Sequence, residues 1–237
     1  MNLEEKKKIT LSLIGTFNKA SQVALDLREA GLKKEIKSDN TPVSNGDIEV
    51  NKILTNKIQE ITPNIAIVSE ESANHKMDTD LNNFWLIDPI DGTRDYINNR
   101  DEFTLNAALI LNKKPAIGII TVPAKKRVFY SYGSSHSYEL INNQEISLMN
   151  KEKNFAGYTA VSYSNDLKPE ILEIHRKYKI SSFQKMKSSL KFCVIAAGHA
   201  ILEHSGGKVT DFNYNEILYG KPEFKNPSLI LKSKNIL

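Results

Sequence analysis

The sequence predicts an α+β fold in two parts, and three observations carry that reading. Helix-period apolar stripes come first, a series of short strands punctuated by turn residues follows, and beyond about Phe155 strands and helices alternate. The boundaries fall at 1–153 and 154–237, with no internal repeat and no low-complexity linker.

The first helix places Ile9, Leu13, Phe17, Ala20, Ala24 and Leu27 on one face, interspersed with Lys, Asn and Gln. This is an amphipathic helix rather than a signal peptide, and no apolar run is long enough to cross a bilayer. A polar loop from Lys37 to Asp47 hands over to a second helix, whose stripe of Val50, Leu54, Ile58 and Ile61 is stopped by Pro63. Asp47 fits two roles, N-cap and catalytic carboxylate, and one side chain can serve both.

Two strands then deliver carboxylates. Ile65 to Val68 runs into Ser69-Glu70-Glu71-Ser72, and Phe84 to Ile87 runs into Asp88-Pro89-Ile90-Asp91-Gly92-Thr93. Pro89 and Gly92 interrupt regular structure, so Asp88 and Asp91 are predicted to leave the strand's end in a turn. Further strands span Phe103 to Ile110, Ala116 to Val122, Arg127 to Ser131 and Ser137 to Leu140, with turns at Asn112-Lys113, Pro123-Ala124 and Gly133-Ser134. They imply a largely antiparallel sheet. The second part reads as a strand from Tyr158 to Ser162, a helix from Pro169 to Tyr178, and an apolar helix over 188–204 ended by Gly206-Gly207.

Composition is that of an ordinary globular enzyme, with 40% hydrophobic and 25% charged residues over 237 positions. The net charge of +4 is spread in short lysine groups, without the basic arm or stacked aromatics of a nucleic-acid surface, so a nucleic-acid polymer is excluded as partner. That small positive excess would still help to attract a polyanionic nucleotide. The single cysteine, Cys193, rules out an internal disulfide and fits a reducing, cytoplasmic setting; in its apolar helical run it reads as an inert buried thiol.

The chemistry concentrates in D-P-I-D-G-T at 88–93. Carboxylates three residues apart repel unless a cation lies between them, and a hard divalent ion with oxygen ligands, Mg²⁺ above all, is the usual solution. The alternative is an Asp-rich turn in which both side chains cap backbone N–H groups. Glu70, leaving a strand in the same manner, adds a plausible third ligand.

These runs resemble the inositol monophosphatase superfamily of Mg²⁺-dependent, lithium-sensitive phosphatases, and within it the 3'(2'),5'-bisphosphate nucleotidases of CysQ type. The resemblance rests on S-D-N-T-P-V-S-N-G-D at 38–47, V-S-E-E-S at 68–72, W-L-I-D-P-I-D-G-T at 85–93, E-F-T-L-N-A-A-L-I at 102–110, S-S-L-K-F-C at 188–193, A-A-G-H-A-I-L-E at 196–203 and Y-G-K-P-E-F-K-N-P at 219–227. It implies a layered α/β/α/β/α sugar-phosphatase fold. It also implies two or three Mg²⁺ ions, one held by Glu70, Asp88 and the Ile90 carbonyl and a second by Asp88 and Asp91. Gly92 and Thr93 would offer amides to the substrate phosphate, and Asp47 with the Thr93 hydroxyl would activate water. Asp39 would support Asp47. The implied substrate is a small phosphorylated nucleotide, 3'-phosphoadenosine 5'-phosphate hydrolysed to AMP and phosphate. An inositol or sugar phosphate is the alternative, and a homodimer is left open.

One departure matters. In the family, S-S-L-K-F-C leads to a strand and then W-D-x-A-A-G, whose Asp binds the second metal. Here Cys193-Val194-Ile195 runs straight into Ala196-Ala197-Gly198, roughly twenty residues short. The W-D pair is absent, which predicts a second part lacking one strand, a second metal ion short of a ligand, and, as a further alternative, a catalytically impaired phosphate-binding remnant. Leu190, Val194, Ala197 and Ile201 keep one helical phase across the junction, so two family helices are predicted to be fused. Nearby, Lys187 with Ser188 and Ser189 reads either as a second phosphate site or as a solvated face. The five histidines share no metal spacing.

Overall fold

The computed structural model describes residues 1–37, 41–71, 81–149, 158–162, 167–185, 195–221 and 229–232. The chain opens with α1, Leu3–Ala30, whose start is closed by a capping box: the Asn2 side chain accepts from the Glu5 amide and the Glu5 side chain accepts from the Asn2 amide. It buries Leu13, Phe17, Ala20 and Ala24 as its spacing predicts. Two strands that the polar loop concealed follow, β1 (Lys34–Ile36) and β2 (Pro42–Ser44), paired antiparallel. β1 is exposed throughout, so it carries no apolar alternation to read. The second helix, α2, spans Asn45–Ile61 and buries Val50, Leu54 and Ile58.

Seven strands build the main sheet in the order β3-β4-β5-β6-β7-β8-β9. They are β3 (Ala66–Ser69), β4 (Phe84–Asp91), β5 (Thr104–Leu111), β6 (Lys114–Val122), β7 (Arg127–Gly133), β8 (His136–Ile141) and β9 (Gln144–Ser147). β3 and β4 are parallel and every other neighbouring pair is antiparallel, as the strand and turn pattern predicted. Asn112-Lys113 and Asn142-Asn143 both take positive φ, the backbone of two-residue hairpins. The second of these turns creates β9, which the sequence reading passed over. At Pro123 the chain makes a short 3₁₀ turn, Pro123–Lys125, before β7.

β4 corrects one expectation. It does not stop at Ile87 but continues through Pro89 to Asp91, because Asp88 pairs with Asn106 and Asp91 with Thr104 across a register shift. One extra residue is accommodated there, and a bulge is where a proline without an amide can sit inside a sheet.

The two faces of the sheet carry separate apolar layers. α1 and α2 cover Trp85, Ile87, Leu105, Ala107, Leu109, Ile117 and Ile119. The opposite face, with Phe84, Ala108, Ile110 and Ile120, packs on Ala196, Ala197 and Ile201 of α5, Ile195–His204. Between them in sequence lie β10 (Tyr158–Ser162), α4 (Pro169–Lys177) and β11 (Ile180–Lys185), a parallel pair joined through a helix. β12 (Lys208–Asp211) and β13 (Leu229–Lys232) form an antiparallel pair. Gly198 lies inside α5 without ending it, and Gly206, at φ 93°, follows its last turn. The expected helical segment 188–194, with Cys193, lies outside the described residues.

Candidate active site

α2 begins one turn earlier than its apolar stripe shows. Its N-cap is Ser44 rather than Asp47, whose carboxylate instead closes the capping box from the third helical position, Oδ2 accepting from the Ser44 amide at 2.8 Å and the Ser44 hydroxyl at 2.6 Å. The other oxygen, Oδ1, lies 3.1 Å from the Thr93 hydroxyl, which is also 3.0 Å from the Ile90 carbonyl. The single hydroxyl proton serves one acceptor at a time. Asp47 is buried, and burial raises its pKa against the lowering effect of these donors.

β3 and β4 bring the remaining carboxylates alongside. The Glu70 amide donates to the Ile87 carbonyl at 3.1 Å, which fixes the end of β3 against β4. Burial, then the charges of Glu70 and Asp91, hold the Asp88 carboxyl well above the usual range. Asp91 is pushed up to about 7 by burial and Glu70, against the pull of the Gly92 amide on its carboxylate. Asp88 Oδ1 and Asp91 Oδ2 are closed to solvent and have no hydrogen-bond partner, while Glu70 shares a hydrogen bond with Asp88.

This donor set fits a divalent cation. Crowded buried carboxylates with orphaned oxygens are costly, and a hard cation with oxygen ligands satisfies both the charge and the lone pairs. Among the described residues no group of three or more His, Cys, Asp or Glu is already drawn into a metal-holding arrangement.

After Asp91 the chain turns through Gly92, left-handed at φ 89°, into α3, Thr93–Ile97. Glycine adopts that conformation without a Cβ penalty. Directly across the sheet from Asp88 and Asp91 stand Asn106 and Thr104, both fully buried. The F-T-L-N run therefore lies beside the carboxylates, the Asn106 amide bonded back to Thr104.

Two residues of the site escaped the sequence reading. The Lys37 ammonium pairs with Glu71 at 2.7 Å; burial pulls its pKa down, but Glu71, with Glu70 and Asp47, outweighs this and raises it. Their separation of 34 positions leaves no local spacing to detect. Asp39, Lys187, Ser188 and Ser189 lie outside the described residues.

Residues 5–197 match the inositol monophosphatase family. Over 219 aligned residues the chain is 34% identical to the 3'(2'),5'-bisphosphate nucleotidase CysQ of Buchnera aphidicola, covering 80% of each sequence. The corresponding protein of Salmonella typhimurium is 29% identical, over 81% of this chain and 85% of its own. The crystal structure of CysQ from Bacteroides thetaiotaomicron superposes with a TM-score of 0.72 over 98% of this chain and 99% of that one, at 24% identity, and shows the same fold. The carboxylate-bearing strand ends, the D-P-I-D-G-T turn and these likenesses agree: the chain belongs to the inositol monophosphatase family and is a phosphate-ester hydrolase.

Proposed function

We propose that the chain is a Mg²⁺-dependent phosphatase that removes the 3'-phosphate of 3'-phosphoadenosine 5'-phosphate, releasing AMP and phosphate. The observation that carries this reading is the pair of orphaned buried oxygens, Asp88 Oδ1 and Asp91 Oδ2, on the β4 bulge that leads into Thr93 and its partner Asp47. The nucleotide is favoured by the curated relatives named as bisphosphate nucleotidases and by the buried Thr104 and Asn106 beside the carboxylates.

Glu70, Asp88 and the Ile90 carbonyl would hold one Mg²⁺ and Asp88 with Asp91 a second, supplying charge for the phosphoryl oxygens and acidity for water. The Thr93 hydroxyl accepts the attacking water as a hydrogen-bond donor while giving its own proton to Asp47 Oδ1. Asp47 takes up that proton as the water oxygen bonds to phosphorus, and its raised pKa suits it to do so. The phosphorus–oxygen ester bond breaks, and the departing 3' oxygen takes its proton from solvent water and leaves as a hydroxyl, Asp47 afterwards returning its own proton to solvent. The Thr93 amide faces the transferred phosphate.

A second reading, a catalytically impaired phosphate-binding remnant, is favoured by one observation: the chain lacks the W-D pair whose Asp would complete the second ion's ligands. Phosphate release from 3'-phosphoadenosine 5'-phosphate, inositol 1-phosphate and fructose 1,6-bisphosphate, with Mg²⁺ titrated and with or without Li⁺, separates these. The expected result is Mg²⁺-dependent, Li⁺-inhibited release that is fastest from the nucleotide. Faster release from inositol 1-phosphate would move the substrate to the alternative class, and no release at any Mg²⁺ concentration would overturn the enzyme reading.

A further inference from the structure

Gly46 immediately precedes Asp47, and it occupies a helical position inside the first turn of α2 where φ is not positive. Alanine is the better helix former at such a position, so backbone conformation does not explain the glycine. Space does. A Cβ at position 46 would stand 2.3 Å from the Tyr96 hydroxyl oxygen and 2.7 and 2.8 Å from ring atoms Cε1 and Cζ.

Tyr96 is not free to yield. Its side chain is fully buried, its hydroxyl donates to the Ala24 carbonyl at 2.6 Å, and its ring packs on Phe103 with centroids 4.8 Å apart. The segment around it is tied to α1 from the other side: Arg28 donates to the Arg100 carbonyl at 2.7 Å, pairs with Asp101 at 2.9 Å and lies over the Phe103 ring. Arg100 in turn pairs with Asp95 at 3.1 Å. Tyr96 thus has α1 behind it and Gly46 in front.

Each member of this contact is covalently close to one member of the Asp47–Thr93 pair. Gly46 is next to Asp47 on α2, and Tyr96 lies on α3, the short helix that Thr93 begins. We propose that Gly46 and Tyr96 are a matched steric pair that sets the distance between Asp47 and Thr93, making Tyr96 a positioning residue for the water-activating step. The inference rests on the hydrolytic reading of that pair. It goes further by assigning the spacing to a contact with α1 that no site motif includes. Filling the gap pushes α2 and α3 apart and stretches a hydrogen bond that already spans 3.1 Å. Misplacement of reacting groups by even ~1 Å costs on the order of 10²-fold in rate.

The test compares the parent, G46A, Y96L and the double variant G46A/Y96L in full-length protein. G46A is expected to lower kcat by about tenfold or more with KM changed far less, and the double variant to regain most of that loss, because leucine lacks the hydroxyl and the Cε1 and Cζ ring atoms that crowd the new methyl. A merely structural contact would lower the urea midpoint of G46A while leaving kcat of the folded protein at the parental value. Parental kcat in G46A, or a double variant as slow as G46A, would overturn the proposal. Backbone amide resonances of Asp47 and Thr93, read without substrate, are expected to shift in G46A and return in the double variant; unmoved resonances overturn it. That readout judges the pair even if the parent releases no phosphate, an outcome that would count against the hydrolytic reading alone. Should G46A fail to fold, a folded double variant with parental Asp47 and Thr93 resonances supports the pairing, and an unfolded one overturns it.

Discussion

A carboxyl with a pKa of about 7, as Asp91 has, makes cation binding and proton release two sides of one equilibrium. Its folded pKa lies above the ordinary carboxyl value of 3.8, so between those limits the folded state holds a proton that the unfolded chain has lost. Asp91 therefore contributes stability to the cation-free protein that is lost as pH rises from about 4 to about 7. Urea midpoints across that window, with and without Mg²⁺, check this: the loss should shrink in D91N and on adding the cation. Asp88 is the ligand we propose both ions share, its Oδ1 closed to solvent and unpartnered. D88N should abolish divalent-cation binding by calorimetry, and equal Mg²⁺ or Mn²⁺ affinity in parent and variant would contradict the site.

Elements are locked to one another by a few buried polar contacts. The Trp85 indole of β4 donates to the Thr62 hydroxyl at the end of α2 at 3.0 Å, and both residues are buried. T62V keeps the shape but leaves the indole N–H without an acceptor, which should cost about 1–3 kcal/mol in urea unfolding with the m-value unchanged. The close of α5 carries an acid sensitivity. Burial, reinforced by Lys6, pushes His204 down to about 4, and its Nδ1 is buried without a partner. The unfolded chain takes up that proton near the ordinary imidazole value of 6.5 while the folded protein refuses it until about 4. The His204 contribution falls as pH drops through that interval, opposite in sign to that of Asp91, and the difference in urea midpoint between H204Q and the parent across the interval isolates it.

At the scale of the molecule, three layers meet at the strand ends: α1 with α2 on one face of the sheet, the sheet itself, and α5 on the other. No helix among the described residues is long and apolar enough to cross a membrane. The chain lacks the W-D pair, so the second metal ion is expected to be one carboxylate short. Loss of a few kcal/mol of leaving-group stabilisation means turnover lower by ~10²-fold or more than in relatives that keep it. Activity should accordingly be weak and need unusually high Mg²⁺ in a phosphate-release titration. Robust turnover saturating at submillimolar Mg²⁺ would show that another carboxylate fills the position.

What could be read from the sequence alone was whatever is encoded by near neighbours. The stripes of α1 and α2 and the alternating strands were legible because burial recurs at the helix or strand period, and Glu70, Asp88 and Asp91 were legible because each follows an apolar strand run within a few residues of a turn signal, although β4 itself continues through Asp91. Contacts between distant segments had no such signature. Asp47 reaches Thr93 across 46 positions, Lys37 reaches Glu71 across 34, and Tyr96 reaches Ala24 across 72. The exposed β1, the bulge that carries β4 through Pro89, and the move of the N-cap to Ser44 were likewise settled by pairing with other strands and by backbone hydrogen bonds. Local periodicity reports which side of an element is buried; only the folded chain decides what that side is buried against.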